Sequence, residues 1–192
     1  LPADAASRLK RHLGNRPSRA QAAKVPLIAA LYCIVGTDRE LPSLRRELYR
    51  TATGKLPQGR WRGSTPAEVD VEAAEKDLRT WASEGLLDTA VADGSLPELV
   101  VVSPSKSLSA ADHICPVVAW VGNDRLRERR FIHQTFREHF AAEHIATMSI
   151  DKAEECLRPH IWFDPSWERV VPAAIAAHPD GLVLASRLLL GS

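Results

Sequence analysis

The fold of this chain is indicated most directly by residues 131–146, FIHQTFREHFAAEHIA. The first two of these residues, a phenylalanine and an isoleucine, are typical of β-strands. Phe136 and Phe140 then lie four apart, which is the spacing of one helix face. Thr135 with Glu138 three residues later has the pattern of a capping box and predicts that a helix begins at Thr135. The segment is therefore predicted to be the end of a strand that continues directly into an amphipathic helix.

One histidine, His133, lies at the junction between this strand and this helix. The backbone N–H groups and the dipole at the start of a helix favour a bound anion, and an imidazole N–H would add a further donor. On spacing alone, a histidine at such a junction is more often structural. His133 is thus a candidate contact to a phosphate, with a structural role as the alternative.

The N-terminal part of the chain has the pattern of a helical subdomain. Residues 27–35 are apolar on nearly all sides, which predicts a buried helix, and Pro26 suits its first turn. Ser43 is a suitable N-cap for a second helix that carries Leu44 and Leu48 toward the core.

A change of composition around residues 56–66, toward Gly, Pro, Gln, Arg and Ser, predicts a domain boundary. A helix and then a short hairpin follow it, which is the pattern of a winged helix. The remaining chain is predicted to be helical. The predicted elements are, in order, a helix with Val71, Ala74, Leu78, Trp81 and Ala82 that ends at Gly85, strands at residues 100–102, 115–121 and 130–132, and helices at residues 135–148, 151–157, 165–177 and 181–190.

Residues 131–142, FIHQTFREHFAA, resemble the FxHxxFxEFxAA signature that closes the winged-helix domain of NACHT-type signalling ATPases, the NLR-like members of the STAND class. His139 stands where that family more often has an aromatic residue. Two more segments agree in order and spacing. Residues 25–33, VPLIAALYC, are similar to the family's xPLLLxLLC helix, and residues 164–168, DPSWE, are similar to its DPxWxE segment, although Glu168 here follows the tryptophan directly.

The resemblance and the order of elements together give a mainly α fold with a small β-hairpin, in three parts. Residues 1–57 are expected to be a helical subdomain that follows a nucleotide-binding core absent from this chain. Residues 58–140 are expected to be a winged-helix domain, and residues 141–192 the start of a helical superhelix that belongs to a sensor region. Because the chain begins at Leu1 rather than at methionine, we expect it to be a piece of a longer protein.

The resemblance also assigns two binding residues. In the family, the histidine at the position of His133 contacts the β-phosphate of bound ADP. The proline at the position of Pro26 packs near the adenine and ribose, whereas its alternative is the common one of a helix-starting proline. The implied cofactors are ADP and ATP, with Mg²⁺ in the longer protein, and we expect this chain alone to bind none of them tightly.

The sequence argues against catalysis by this chain alone. A phosphate-binding loop requires Gly-x-x-x-x-Gly-Lys followed by Ser or Thr. The nearest approach is Gly54-Lys55, which has Tyr49 in place of the first glycine and Leu56 after the lysine. We therefore expect no enzymatic activity here, whereas the resemblance implies that the longer protein is an ATPase.

Composition excludes several other classes of protein. The 192 residues carry a net charge of +1, which gives no general reason to expect nucleic acid or a membrane surface as a partner. Three separated cysteines, Cys33, Cys115 and Cys156, fit neither a disulfide framework nor a zinc site. The longest apolar run is far shorter than a membrane span. A cytoplasmic location is the resulting expectation.

The predicted winged helix raises the question of DNA, because such domains often bind it. The most basic run holds Arg125, Arg127, Arg129 and Arg130, whereas the preceding helix, residues 70–84, has five acidic residues against two basic ones. An acidic helix is repelled by phosphates, so nucleic acid is not expected to bind through this region. The arginines are better explained by a solvated wing or a contact with a neighbouring domain.

The function implied by the resemblance is that of a nucleotide-dependent switch. Bound ADP holds the winged helix closed through His133, and its release allows self-oligomerisation and activation of an attached effector. The expected partners are the nucleotide-binding domain and the C-terminal sensor of the same protein, with antiphage defence in bacteria as the setting by analogy. The alternative is a free-standing winged-helix regulator that binds DNA or a protein without any nucleotide.

Overall fold

A computed structural model of the chain describes residues 7, 10–11, 13–14, 21–36, 42, 44–55, 71–87, 118–123, 126–131, 133–162 and 164–190. Over these residues the protein is mainly helical, with seven bounded α-helices and one two-stranded antiparallel sheet. The mainly α class is therefore confirmed. The chain divides into two compact units, Leu1–Val71 and Glu72–Ser192.

The first unit contains helices α1, Pro26–Val35, and α2, Arg45–Lys55. Pro26 is the first residue of α1. Its fixed φ angle suits the helix there, and its lack of an N–H costs no hydrogen bond within the helix. The N–H of Gly36 donates to the carbonyl of Tyr32 at 2.8 Å and closes the last turn. The helix-starting role of Pro26 is thus observed.

Helices α1 and α2 pack against each other along one apolar face each. The ammonium of Lys55 donates to the carbonyl of Val35 at 3.2 Å, so the C-terminal ends of the two helices are joined. Leu48 is 1% exposed as predicted, but Leu44 is 61% exposed, so its predicted burial is wrong. Leu44 precedes the first residue of α2, and its side chain does not continue the face of Leu48. The buried residues of this unit are Ile28, Leu31, Tyr32, Val35, Leu48, Tyr49, Ala52 and Thr53.

The prediction that α1 is buried on nearly all sides is also wrong for the residues that the structure describes. Ala30 and Pro26 are exposed, and the buried positions form a single stripe. Ser43, the predicted N-cap of α2, lies outside the described residues.

Helix α3, Val71–Leu87, lies in the second unit from its second residue onward. A hairpin of strands β1, Val118–Asn123, and β2, Leu126–Phe131, follows it. Val118 pairs with Phe131 at one end of the hairpin and Asn123 with Leu126 at the other. Helix α3 continues two residues past Gly85, so the predicted stop is wrong. The predicted strand at residues 100–102 lies outside the described residues.

Four helices complete the unit: α4, Gln134–Ile145; α5, Ile150–Leu157; α6, Val170–Ala177; and α7, Gly181–Leu190. Helix α6 packs on both α4 and α7, and α7 also packs on α5. The bounds of α5 and α7 agree with prediction to within one residue. Helix α6 begins five residues later than predicted, because residues 165–169 form turns. The larger fully buried side chains here are Phe136, Phe140, Ile145, Leu157, Trp167 and Leu184.

Side-chain contacts fix how these four helices sit together. Arg187 of α7 donates to Asp151 at 2.7 Å and to Glu154 at 3.2 Å, and Arg158 also bonds Glu154. Buried His178, which follows α6, accepts the N–H of Asp180 at Nδ1 (3.0 Å), and its Nε2 is 3.2 Å from the carbonyl of Met148. Backbone segments distant in sequence are thereby held together.

The predicted three-part division, 1–57, 58–140 and 141–192, stays a prediction. In the sequence, the boundary between the two compact units falls between residues 71 and 72. The second predicted boundary falls inside α4, which is continuous across residues 140 and 141.

Candidate anion site at the start of helix α4

His133 is the N-cap of α4, with extended backbone angles of φ −153° and ψ 139°. Its ring nitrogen Nδ1 accepts the N–H of Thr135 at 3.2 Å and lies 2.9 Å from the hydroxyl of Thr135. The helix therefore begins at Gln134, and the predicted capping box headed by Thr135 is wrong. Thr135 is instead a buried residue of the first turn. Because histidine is not among the preferred N-caps, the sequence pattern pointed to the threonine.

The hydrogen bonds of His133 determine where its ring carries a proton. A backbone N–H can only donate, so Nδ1 must be an unprotonated acceptor, and the neutral ring then carries its hydrogen on Nε2. His133 is an exposed residue. Nε2 has no hydrogen-bond partner within the part of the chain that the structure describes. The ring can thus donate one hydrogen bond to a ligand while it still caps the helix.

The amides of the first turn add to this donor. The N–H of Phe136 is bonded to the carbonyl of His133 at 3.1 Å, and that of Thr135 to the ring. The N–H of Gln134 has no partner among the described residues. The Gln134 amide, the imidazole N–H and the positive end of the helix dipole form an arrangement that suits an oxyanion.

Arg137 lies in α4, four residues after His133. Its Nε is buried and has no hydrogen-bond partner among the described residues. Burial lowers the pKa of the Arg137 guanidinium, and the adjacent carboxylate of Glu138 acts in the opposite direction. An arginine keeps its charge in proteins even so, so this half-buried cation makes the first turns of α4 more positive.

The carboxylate of Glu138, next to Arg137 in the sequence, pairs with a cation outside α4. Glu138 is buried, with 8% exposure, and its carboxylate lies 3.8 Å from the guanidinium of Arg169, just before α6. The Glu138 carboxylate thus interacts with two cations, Arg169 beside α6 and Arg137 in α4.

Pro26, the second residue predicted to bind nucleotide, belongs to the first compact unit. It is exposed and precedes the buried stripe of α1, beside Val25, which is 47% exposed. A proline ring and a valine side chain offer apolar surface and no hydrogen-bond donor. His133 belongs to the second unit.

Another histidine, His160, which the sequence did not single out, contacts the turn at residues 164–168. Asp164 accepts the N–H of Ser166 at 3.0 Å, and its other oxygen lies 2.7 Å from Nδ1 of His160. The imidazole of His160 stacks on the buried ring of Trp167 with 3.9 Å between centroids. The four-residue spacing of His160 and Asp164 was the available signal. With 9% of its side chain exposed, His160 has a structural role in closing the turn before α6.

No protein-family model, curated protein or solved structure compared with this chain matches it. In the described ranges, no group of three or more His, Cys, Asp or Glu side chains is placed to hold a metal ion. None of the helices described has both the length and the apolar character needed to cross a membrane.

Proposed function

We propose that this chain is the regulatory part of a NACHT-type signalling switch, in which His133 contacts the β-phosphate of ADP in the closed state. The observation that carries the proposal is the hydrogen bonding of His133. Its Nδ1 is engaged in capping α4, and its Nε2–H remains available at a helix start. A donor of this kind matches a phosphate oxygen.

The arrangement of the second unit supports a winged-helix domain that ends in α4. Helix α3, the hairpin and α4 are consecutive in the chain and share aromatic contacts. Trp81 of α3 stacks on Phe131 of β2 at 4.4 Å, and Phe131 is 6.1 Å from Phe140 of α4. In this proposal the hairpin is the wing, and His133 is carried by the strand-to-helix junction that follows it.

The latch works through a small difference in free energy. One hydrogen bond to a charged phosphate is worth about 1.5–3 kcal/mol, which corresponds to a population shift of roughly 10- to 150-fold. Such a shift is sufficient to bias a two-state domain arrangement. Loss of ADP removes this bond and releases the second unit from the nucleotide domain.

The rest of the machinery lies elsewhere in the proposed protein. The nucleotide-binding domain supplies the phosphate loop and the Mg²⁺ site, and it binds ADP or ATP, with Pro26 beside the adenine and ribose. A C-terminal sensor receives the trigger, and subunits oligomerise in the active state. We place this switch in the cytoplasm, in bacterial defence against phage, and we assign no catalysis to this chain.

The test is ADP retention in the protein encoded by the whole open reading frame. His133→Asn keeps an N-cap side chain but has no imidazole, so the helix is preserved while the phosphate contact is lost. We expect ADP co-purifying with this variant to fall by about tenfold or more. His144→Asn, a histidine substitution in the last turn of the same helix, is the matched control. Equal ADP content in the two variants would refute the latch.

The alternative of a free-standing DNA-binding regulator is less well supported. Of the charged residues on α3, Glu72 is exposed, and the cation of Arg79 is paired with Glu75 at 2.9 Å. Lys76 is also exposed, but a single lysine among these carboxylates is not a basic surface that would attract phosphates. Titration of duplex DNA with the chain decides the matter, since tight binding that weakens steeply with salt would favour the alternative.

A further inference from the structure

Thr135 places two donors against one nitrogen of His133. Its backbone N–H is 3.2 Å from Nδ1 and its hydroxyl oxygen is 2.9 Å from the same atom. The side chain of Thr135 is buried, with 6% of the residue exposed, whereas His133 is exposed. A fixed group therefore contacts a ring that is otherwise open to solvent.

The two contacts permit a single arrangement of protons. A threonine hydroxyl can either donate or accept, but the backbone N–H can only donate. Since both reach the same nitrogen, the Nδ1–H form of the ring would direct its hydrogen at the amide hydrogen of Thr135. The contacts are mutually compatible only when Nδ1 is bare, the hydroxyl donates to it and the ring hydrogen is on Nε2.

We propose that Thr135 is a positioning residue that holds His133 in the Nε2–H form and so makes the ring a donor to an oxyanion of the phosphate class. The identity of the ligand rests on the proposed function, whereas the protonation of the ring does not. Because Nε2 carries hydrogen, the same arrangement disfavours a metal cation at this nitrogen, which would need its lone pair.

The first experiment reads the ring directly. The chain is labelled with ¹⁵N-histidine, and long-range ¹H–¹⁵N NMR distinguishes a protonated ring nitrogen from a bare one, with His133→Asn used to assign the signals. We expect a bare Nδ1 and a protonated Nε2 in the native chain and in Thr135→Ser. Thr135→Val keeps the shape and the amide but has no hydroxyl, so only the longer 3.2 Å bond from the amide remains to hold Nδ1 bare, and there we expect a measurable fraction of the Nδ1–H form.

Two results would overturn the positioning role. One is a protonated Nδ1 in the neutral ring of the native chain, which needs no variant at all. The other is a folded Thr135→Val with the same nitrogen shifts as the native chain. If the valine variant does not fold, Thr135→Ala replaces it, because it also lacks the hydroxyl and introduces no additional bulk.

The second experiment measures ADP dissociation from the protein of the whole open reading frame. We expect Thr135→Val to release ADP about 2- to 10-fold faster, as for the loss of one neutral hydrogen bond, and Thr135→Ser to restore the native rate. An altered ring with an unaltered ADP rate would refute the role of Thr135 in the switch. If His133→Asn also leaves ADP bound, the proposed function itself fails, while the NMR result on the ring stands.

Discussion

At the scale of residues, His133 combines two roles that different substitutions can separate. Its Nδ1 accepts the N–H of Thr135 and so caps α4, while its Nε2 is available to a ligand. The capping role belongs to the folded chain by itself and can be measured without any nucleotide. The side chains that cap helices best are short and carry an oxygen. Asparagine at this position therefore removes the imidazole but keeps a cap, whereas alanine removes both.

We therefore predict that His133→Ala destabilises the second unit by about 0.5–2 kcal/mol, because the first turn of α4 loses its cap. His133→Asn should lie within about 0.5 kcal/mol of the native chain, since the asparagine oxygen can accept the same N–H. Urea unfolding followed by circular dichroism measures both. Equal losses in the two variants would mean that the cap contributes little.

At Gly181 the backbone lies so close to the preceding helix that a side chain has no room. A Cβ at this position would run into the carbonyl oxygen of Ile175 in the preceding helix. We predict that Gly181→Ala destabilises the chain by about 1–3 kcal/mol, as overpacking does elsewhere. A shift of the urea midpoint to lower concentration measures this, and an unchanged midpoint would contradict the contact.

Gly54 is the matched opposite case. It lies inside α2, and an added Cβ there meets nothing within 4 Å. Alanine has the higher helix propensity and restricts the unfolded chain, so Gly54→Ala should stabilise the first unit by up to about 1 kcal/mol. The position one residue from the helix end reduces the gain. A lower urea midpoint would contradict the finding that the space around this position is open.

At the scale of elements, helices α5 and α7 are joined by an ion-pair network centred on Glu154. Arg187 bridges Asp151 and Glu154, and Arg158, which directly follows α5, also bonds Glu154. The hydrogen bond from Arg158 is the main cause that holds the pKa of Glu154 below its ordinary value, and a second bond from Arg187 adds to it. Burial acts in the opposite direction. The network is therefore stabilised by the ionised carboxylate.

The lowered pKa of Glu154 determines how the stability of the chain depends on pH. Since the pKa of Glu154 is lower in the folded chain than in the unfolded chain, its contribution is present above the unfolded value and is lost as the pH falls through the folded one. We predict that Glu154→Gln lowers the melting temperature at about pH 7 more than at about pH 3. Glu155→Gln, an exposed neighbour, is the control. A pH-independent difference would argue against the pairing.

The elements also show what the sequence can and cannot predict. Helices α5 and α7 follow from apolar spacing, and the burial of Leu78 and Trp81 in α3 follows from the same rule. The start of α4 was missed because a histidine nitrogen replaces a threonine oxygen as the cap, which depends on ring geometry. The start of α6 was missed because the side chain of Asp164 bonds the backbone of Ser166 and holds a turn. Such local competition with the helix cannot be read from hydrophobic spacing.

At the scale of the whole molecule, the second unit has its own core. Phe136 and Phe140 of α4, Trp167, and Leu184 of α7 are each at most 2% exposed. A core contained within one unit is what independent folding requires. The continuity of α4 across residue 140 means that the predicted boundary there would divide this core.

We therefore predict that residues 72–192, expressed alone, give helical circular dichroism and a single cooperative unfolding transition. Phe140→Ala in this fragment should cost about 3–5 kcal/mol, because a fully buried ring is removed. Exposed Leu182→Ala on α7, a residue 90% exposed, is the control and should have little effect. A fragment that unfolds gradually would show that the first unit is needed for this core.

The aromatic stack behind His133 gives the molecule an optical property. The indole of Trp81 is 3% exposed, its N–H has no hydrogen-bond partner among the described residues, and it lies face to face with Phe131, two residues before His133. A dry, stacked indole emits at shorter wavelength than a hydrated one, so displacement of β2 or of the start of α4 would redden its fluorescence. Because the chain contains five tryptophans, a difference spectrum against Trp81→Phe isolates this signal. Movement beside the candidate anion site can thus be followed in real time without an attached dye.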